Sequence, residues 1–275
     1  LKRDGRFADV MERALYNTVL GGVELDGTKF FYVNPLEVIP GVSGKMATHR
    51  HALPQRPGWF GCACCPPNAA RLLTSTANYI WDRKDGTLYS NLYAAGELTL
   101  PEVSIKVETA YPFGDTVKYT VLSGETKLAV HIPEFTKKNY KVSMSGEYKD
   151  GYYYMEVKAG DVIDLQLEML PKLNRANTRV AKDSGLGAVT VGPVVYCAEG
   201  ADNGDAIFGF SVERGGLSLQ RKTPQEIGGF ADTAFDLGAV YTVTAKGSML
   251  LQDDPDALYF TEEYKEESCE LTLIA

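Results

Sequence analysis

The sequence predicts a mainly β protein: two β-sandwich-like domains preceded by a short helical segment. Three observations carry this expectation. Up to about residue 82, apolar residues recur at helical spacing. From Thr87 the pattern changes to short runs with period-2 alternation. Turn pairs such as Ser123-Gly124, Asp150-Gly151 and Gly160-Asp161 separate those runs. The expected domains are therefore residues 1–82, 83–172 and 173–275.

Phe7 to Leu20 reads as the first helix. Phe7, Val10, Met11, Ala14 and Leu15 fall on one stripe, Asp9 and Glu12 lie in its early part, and Gly21-Gly22 ends it. Phe30-Phe31-Tyr32-Val33 is a short apolar run closed by Asn34-Pro35. Residues 40–57 read as a loop carrying His49, Arg50 and His51, and a loop this long in a compact domain is often functional. Pro66-Pro67 then opens a second helix, about Asn68 to Trp81. Proline is tolerated there because first-turn N–H groups lack intrahelical partners. Ala69, Leu72, Leu73, Thr76, Ala77, Ile80 and Trp81 form its apolar stripe. Two helices cannot close a helical domain, so the segment reads as the end of a larger one.

The first sandwich is expected from Thr87–Ala94, Glu97–Thr109, Thr116–Leu122, Lys127–Ile132, Lys141–Ser145, Tyr152–Val157 and Val162–Leu167. The stretch from Pro171 to Gly187 reads as a joint. A second β-rich block follows, with Val189–Val191, Val194–Tyr196, Tyr241–Ala245 and Leu271–Ile274.

Composition narrows the function. The chain has 275 residues and a net charge of −8, which argues against nucleic acid or an anionic membrane as the main partner. No window approaches 18 continuous apolar residues, so no membrane span is expected. Leu1 belongs to neither an initiator methionine nor a signal peptide, and the chain is expected to begin inside a longer protein. Cys197 and Cys269, far apart in strand-like runs, read as buried small hydrophobes rather than a bridge. The thiol pattern leans toward a reducing cytoplasm.

The remaining cysteines are Cys62, Cys64 and Cys65, three of the chain's five, in the run Gly61-Cys62-Ala63-Cys64-Cys65-Pro66-Pro67-Asn68. Thiolate is the nucleophilic and metal-binding form of cysteine, and a helix N-terminus favours it. The cluster therefore reads as a metal site, as an activated nucleophile, or as tight packing between Gly61 and Ala69. Zinc usually takes four ligands, so a zinc site here needs others from elsewhere. His49 and His51 read as loop residues, His131 as structural, and Trp59-Phe60 equally as a sugar-stacking pair or core.

These residues carry a family resemblance. Glu12-Arg13-Ala14-Leu15-Tyr16-Asn17, Asp26 through Leu36, and Trp59 through Asn68 resemble glycoside hydrolase family 127, the β-L-arabinofuranosidases. Gly192-Pro193-Val194-Val195-Tyr196-Cys197-Ala198-Glu199 resembles a further signature of that family. The resemblance implies the end of a catalytic (α/α)6 barrel followed by β-sandwiches, in the C-terminal half of a retaining enzyme. It implies a zinc-bound cysteine nucleophile at Cys64, with Cys64 and Cys65 as zinc ligands. Glu12 and Tyr32 match positions that line the sugar pocket; on their own they read equally as a solvated helix face and as core packing. The family's other zinc ligands and its acid/base glutamate precede the region matching Leu1, so this chain alone is expected to be inactive. The implied partner is an arabinose-containing glycan, with neither nucleic acid nor membrane, and a homodimer is a compatible assembly. Two alternatives stay open: a non-catalytic carbohydrate-binding or architectural β-sandwich module, and a protein using zinc for stability alone.

Overall fold

The computed structural model describes residues 3–35, 37–61, 64–204, 207–227, 239–251, 259 and 265–275. Cys62 lies outside them. The described residues are mainly β and divide into two compact units, one up to Glu168 and one from Met169 onward.

Helix α1 spans Gly5–Ala14. Asp4 caps it, its side chain accepting from the Arg6 N–H at 3.2 Å. A π-helical turn, Leu15–Leu20, continues α1 and closes with the Gly21 N–H on the Tyr16 carbonyl. The expected stop at Gly21 is therefore found, but the last turn is not α-helical. The Asn17 side chain donates to the Arg13 carbonyl, one of those that the wider turn re-partners.

The expected apolar stripe of this helix does not face the core. Phe7 and Val10 are 64% and 67% exposed, while Gly5, Ala8 and Glu12 are buried. The reason is close backbone approach. The Gly5 N–H donates to the Asp150 carbonyl at 2.7 Å, and a Cβ on Gly5 would lie 2.8 Å from the Gly151 Cα. Small residues allow that contact and so choose the buried face.

The second expected helix is two. Helix α2 spans Cys65–Thr74 and α3 Ala77–Ile80. The hydroxyls of Ser75 and Thr76 both donate to the Leu72 carbonyl, which competes with the helical ladder and ends α2. Trp81 is not helical; it opens a strand.

The rest of the first unit is a nine-stranded sheet. Its strands are β1 (Trp81–Lys84), β2 (Thr87–Ser90), β3 (Gly96–Thr99), β4 (Val103–Thr109), β5 (Thr116–His131), β6 (Lys141–Val142), β7 (Glu147–Lys149), β8 (Tyr152–Lys158) and β9 (Val162–Gln166). Strand β5 organises them. Its first half pairs with β4 and β9, and its second half with β2 in parallel and β8 antiparallel. Two strands split at Ser123-Gly124 were expected; the chain instead runs through as one. Gly124 adopts φ +73° inside the strand, beside a register shift at Ser104, so the turn residue serves as an irregularity rather than a reversal. Alternation puts Val117, Tyr119 and Val121 inside, and Ile105, Leu128 and Ile163 complete the core.

The second unit is a six-stranded sheet in the order β10-β11-β12-β15-β14-β13. These are Pro171–Arg175, Gly187–Val191, Val194–Ala198, Phe210–Lys222, Val240–Leu251 and Lys265–Ile274 for β10 to β15. The expected joint begins as strand β10, since Pro171–Arg175 pairs with β11. Cys197 is exposed rather than buried, because its neighbour Tyr196 occupies the inward side and the strand alternates.

Candidate active site

Cys64 is the N-cap of α2 and Cys65 its first residue. Their Sγ atoms lie 3.7 Å apart. Asn68 fixes the turn that carries them. Its backbone N–H and its side-chain amide both donate to the Cys64 carbonyl, at 3.3 and 2.8 Å. Arg71 in turn donates to the Asn68 side-chain oxygen at 2.9 Å. Sequence reasoning gave Asn68 no role; its position four residues after Cys64, at a helix start, is the signal that finds it.

The helix start offers fewer backbone donors than its position suggests. A helix start offers four N–H groups without intrahelical partners. Here residues 66 and 67 are both proline and have none to offer.

The spacing of the pair is compatible with a shared tetrahedral ion. Two thiolates at about 2.3 Å from a tetrahedral ion sit about 3.8 Å apart. The observed 3.7 Å fits two corners of such a site. Among the described residues no group of three or more His, Cys, Asp or Glu is arranged to hold a metal. Cys64 and Cys65 alone could offer a metal ion two ligands.

Tyr32 belongs to a separate, aromatic cluster. The Tyr32 ring lies 5.4 Å from Phe60 and 5.2 Å from His51, and Phe60 lies 5.6 Å from Phe30. Phe30 is buried and Tyr32 is 38% exposed. Of the pair read as sugar-stacking or core, Phe60 packs and Trp59 projects outward. Backbone bonds assemble this cluster: Phe30 N–H to the Pro57 carbonyl, and Phe31 N–H to the Gly22 carbonyl. Arg56 stacks over Phe31 and donates to the Gly21 carbonyl at 2.6 Å. Asn34 donates to the carbonyls of Asn17 and Thr18 in the π-turn. His51, expected as a plain loop residue, packs on Tyr32 and accepts from Arg50 at 3.0 Å.

Glu12 faces a different set of groups. It is 2% exposed, so it is not the solvated helix position that its charge suggested. Tyr111, in the loop after β4, donates to Glu12 Oε1 at 2.7 Å. Burial raises the Glu12 carboxyl to about 8, partly offset by the Tyr111 hydrogen bond. One turn earlier, Asp9 lies 3.3 Å from the buried His131 ring and accepts the Glu134 N–H. The hydroxyl of Tyr93 donates to the His131 carbonyl. Polar residues of α1 thus dock the helix on the β-sheet.

Comparison with known proteins follows the same order along the chain. The sequence model of the GH127 β-L-arabinofuranosidase catalytic domain matches residues 1–78, that of the family's middle domain residues 87–169, and that of its C-terminal domain residues 171–267. A non-reducing end β-L-arabinofuranosidase of Bifidobacterium longum subsp. longum is 35% identical over 231 residues, covering 78% of this chain and 35% of the relative. A crystal structure of a GH127 β-L-arabinofuranosidase from Geobacillus stearothermophilus T6 is 34% identical, with a TM-score of 0.85 over 99% of this chain and 44% of that one. A further solved GH127 β-arabinofuranosidase is 29% identical, with a TM-score of 0.72 over 98% of this chain and 43% of that one. The chain thus spans less than half the length of these relatives. With three domain models of one family matching in order, and the thiol pair lying inside the first of them, the chain belongs to glycoside hydrolase family 127.

Proposed function

We propose that the chain is the C-terminal portion of a retaining glycoside hydrolase of β-L-arabinofuranosidase type, acting on an arabinose-containing glycan. The observation that carries this reading is the Cys64–Cys65 pair, two thiols 3.7 Å apart at the start of α2. Residues 1–82 would be the end of an (α/α)6 barrel, followed by β-domains over 83–172 and 173–275. The outward apolar side chains Phe7 and Val10 support a helical segment that packs within a larger helical body.

In this reading the Cys64 sulfur attacks the anomeric carbon as the bond to the leaving oxygen breaks. An acid on the other side of the sugar protonates that oxygen. Water then displaces the sulfur, giving its proton to the same group and restoring the original anomer. Zinc held by Cys64 and Cys65 would supply the positive charge that keeps a thiol deprotonated near neutral pH. Tyr32 lends an aromatic edge to the sugar pocket. Glu12, being buried, would act on that pocket through its neighbours rather than by an open face. The acid and the remaining zinc ligands are assigned to a preceding part of the protein, so the 275-residue chain alone is expected to be inactive. Purified chain and full-length protein assayed with an aryl β-L-arabinofuranoside test this. Turnover only by the longer form, lost on chelation and in Cys64→Ser, is expected; turnover by the chain alone refutes it.

One observation favours a second reading, a carbohydrate-binding β-sandwich. Tyr148 is 43% exposed, and its ring lies 6.1 Å from Tyr140, which lies 6.1 Å from Tyr153. Such rings can stack on a sugar face. Glycan binding by the chain that survives Cys64→Ser and is lost in Tyr148→Ala would favour it.

A further inference from the structure

We propose that Tyr111, in the loop after β4, is a positioning residue for the candidate site. By holding the Glu12 carboxyl and the Tyr16 ring, it seats the π-turn from which the Tyr32 loop is hung. The part concerning Tyr32 rests on its proposed place in the sugar pocket; the mechanical argument stands without it.

The contacts form a connected series. Tyr111 is buried and its ring meets Tyr93 edge-on at 5.1 Å, while Tyr93 is anchored to the His131 carbonyl at the end of β5. The sheet therefore holds the Tyr111 ring in place from behind. On its other side Tyr111 makes two contacts with the helical segment. Its hydroxyl donates to Glu12, and its ring meets Tyr16 edge-on at 6.1 Å. Glu12 and Tyr16 are one turn apart, the last buried position of α1 and the second residue of the π-turn. The Tyr16 carbonyl closes that turn by accepting the Gly21 N–H. The freed carbonyls of Asn17, Thr18 and Gly21 then serve as acceptors for Asn34 and Arg56. Asn34 lies two residues from Tyr32, and Arg56 lies on the strand of loop that delivers Phe60 to the Tyr32 ring.

The π-turn explains why the anchor is needed. A π-turn is rare and persists only where its surroundings over-determine it. Here the surroundings are Tyr111 below it and the Asn34 and Arg56 side chains above. The groups facing the Glu12 carboxyl are Asp9 and Arg13 of its own helix, Tyr16 of the π-turn, and Tyr93 and Tyr111 of the sheet unit. Arg13 is the sole cation among them. A proton on Glu12 lets it face three tyrosines without a buried charge, so opening the seat, which releases that proton, becomes easier as pH rises toward 8.

Hydrogen exchange read by mass spectrometry on the 275-residue chain from pH 6 to 9.5, corrected for the intrinsic pH dependence of exchange, tests this. In the wild type, protection of residues 15–34 should fall by about tenfold or more between pH 6 and 8 and level off above 8, while β5 stays protected. Glu12→Gln should remove that step. Tyr111→Phe should lose about tenfold of protection in residues 15–34 already at pH 6, and its remaining step should move to higher pH. Unchanged protection of 15–34 in Tyr111→Phe, or an equal loss across β5, would overturn the proposal. Should Tyr111→Phe not fold, a pH step that persists in Glu12→Gln overturns it equally. None of these readouts involves zinc or hydrolysis. A failure of the glycosidase reading therefore leaves them standing, and their failure leaves the thiol chemistry untouched.

Discussion

Glu12 makes the stability of the first unit depend on pH in a direction unusual for a carboxylate. Its carboxyl stays protonated up to about 8 in the fold, against 4.5 when free. Below 4.5 both folded and unfolded chains carry the proton, and the fold is undisturbed. Between 4.5 and 8 the unfolded chain has released it and the folded one has not, so stability falls as pH rises. Above 8 the fold carries a buried carboxylate and the full loss is reached. At about 1.4 kcal/mol per pH unit, the total is on the order of 5 kcal/mol. Water drawn toward the ionised group reduces this, so it is an upper figure. At roughly 2–4 °C per kcal/mol for a unit of this size, thermal melting should drop by about 10 °C between pH 5 and 9 on this account alone. Glu12→Gln keeps an oxygen for Tyr111 and removes the titration. Melting curves of the two proteins, followed by circular dichroism, should nearly coincide at pH 4.5 and diverge progressively up to pH 8, with the variant more stable. All other ionisable groups are shared and cancel in the difference. Parallel curves across that range would refute the reasoning.

Other outcomes follow from particular contacts. Gly151→Ala would put a methyl 2.6 Å from the Gly5 Cα at a residue with φ +86°, and should destabilise the unit by about 2 kcal/mol or more in denaturant unfolding. Leu128→Ala, fully buried at the middle of the sheet, should cost about 2–5 kcal/mol by the same measurement. Two thiolates are half of a zinc set, so the chain should bind zinc with an affinity far below that of a four-ligand site, and Cys65→Ala should abolish what binding remains in a chelator-competition assay. Asn68→Ala removes one of two donors to the Cys64 carbonyl and should fray the start of α2, seen as faster alkylation of Cys64 at unchanged pH.

Strand alternation was readable because one face of each strand is buried. Val117, Tyr119 and Val121 of β5 announce themselves by period alone. The continuity of β5 was not readable, because Ser123-Gly124 has the composition of a turn and is used as a bulge. The face of α1 misled for a related reason. Apolar periodicity marks Phe7 and Val10, but the face that docks is chosen by Gly5 meeting Gly151 and by polar bonds at Asp9 and Glu12. Those partners lie more than 90 residues away, beyond the reach of any local pattern. The adjacency of the two thiols before a helix start was legible. Their geometry was not, and neither was the Asn68 clamp. Tyr32 was singled out, but its ring neighbours His51 and Phe60 depend on a loop closure that no period encodes.

The most direct test of the central claim is chemical. Full-length protein mixed with a β-L-arabinofuranoside and quenched within the first turnovers should yield a peptide containing Cys64 heavier by one anhydropentose, held on sulfur. Cys64→Ser should yield none and should turn over no substrate. A modified residue other than Cys64, or hydrolysis at the wild-type rate in Cys64→Ser, would contradict the account.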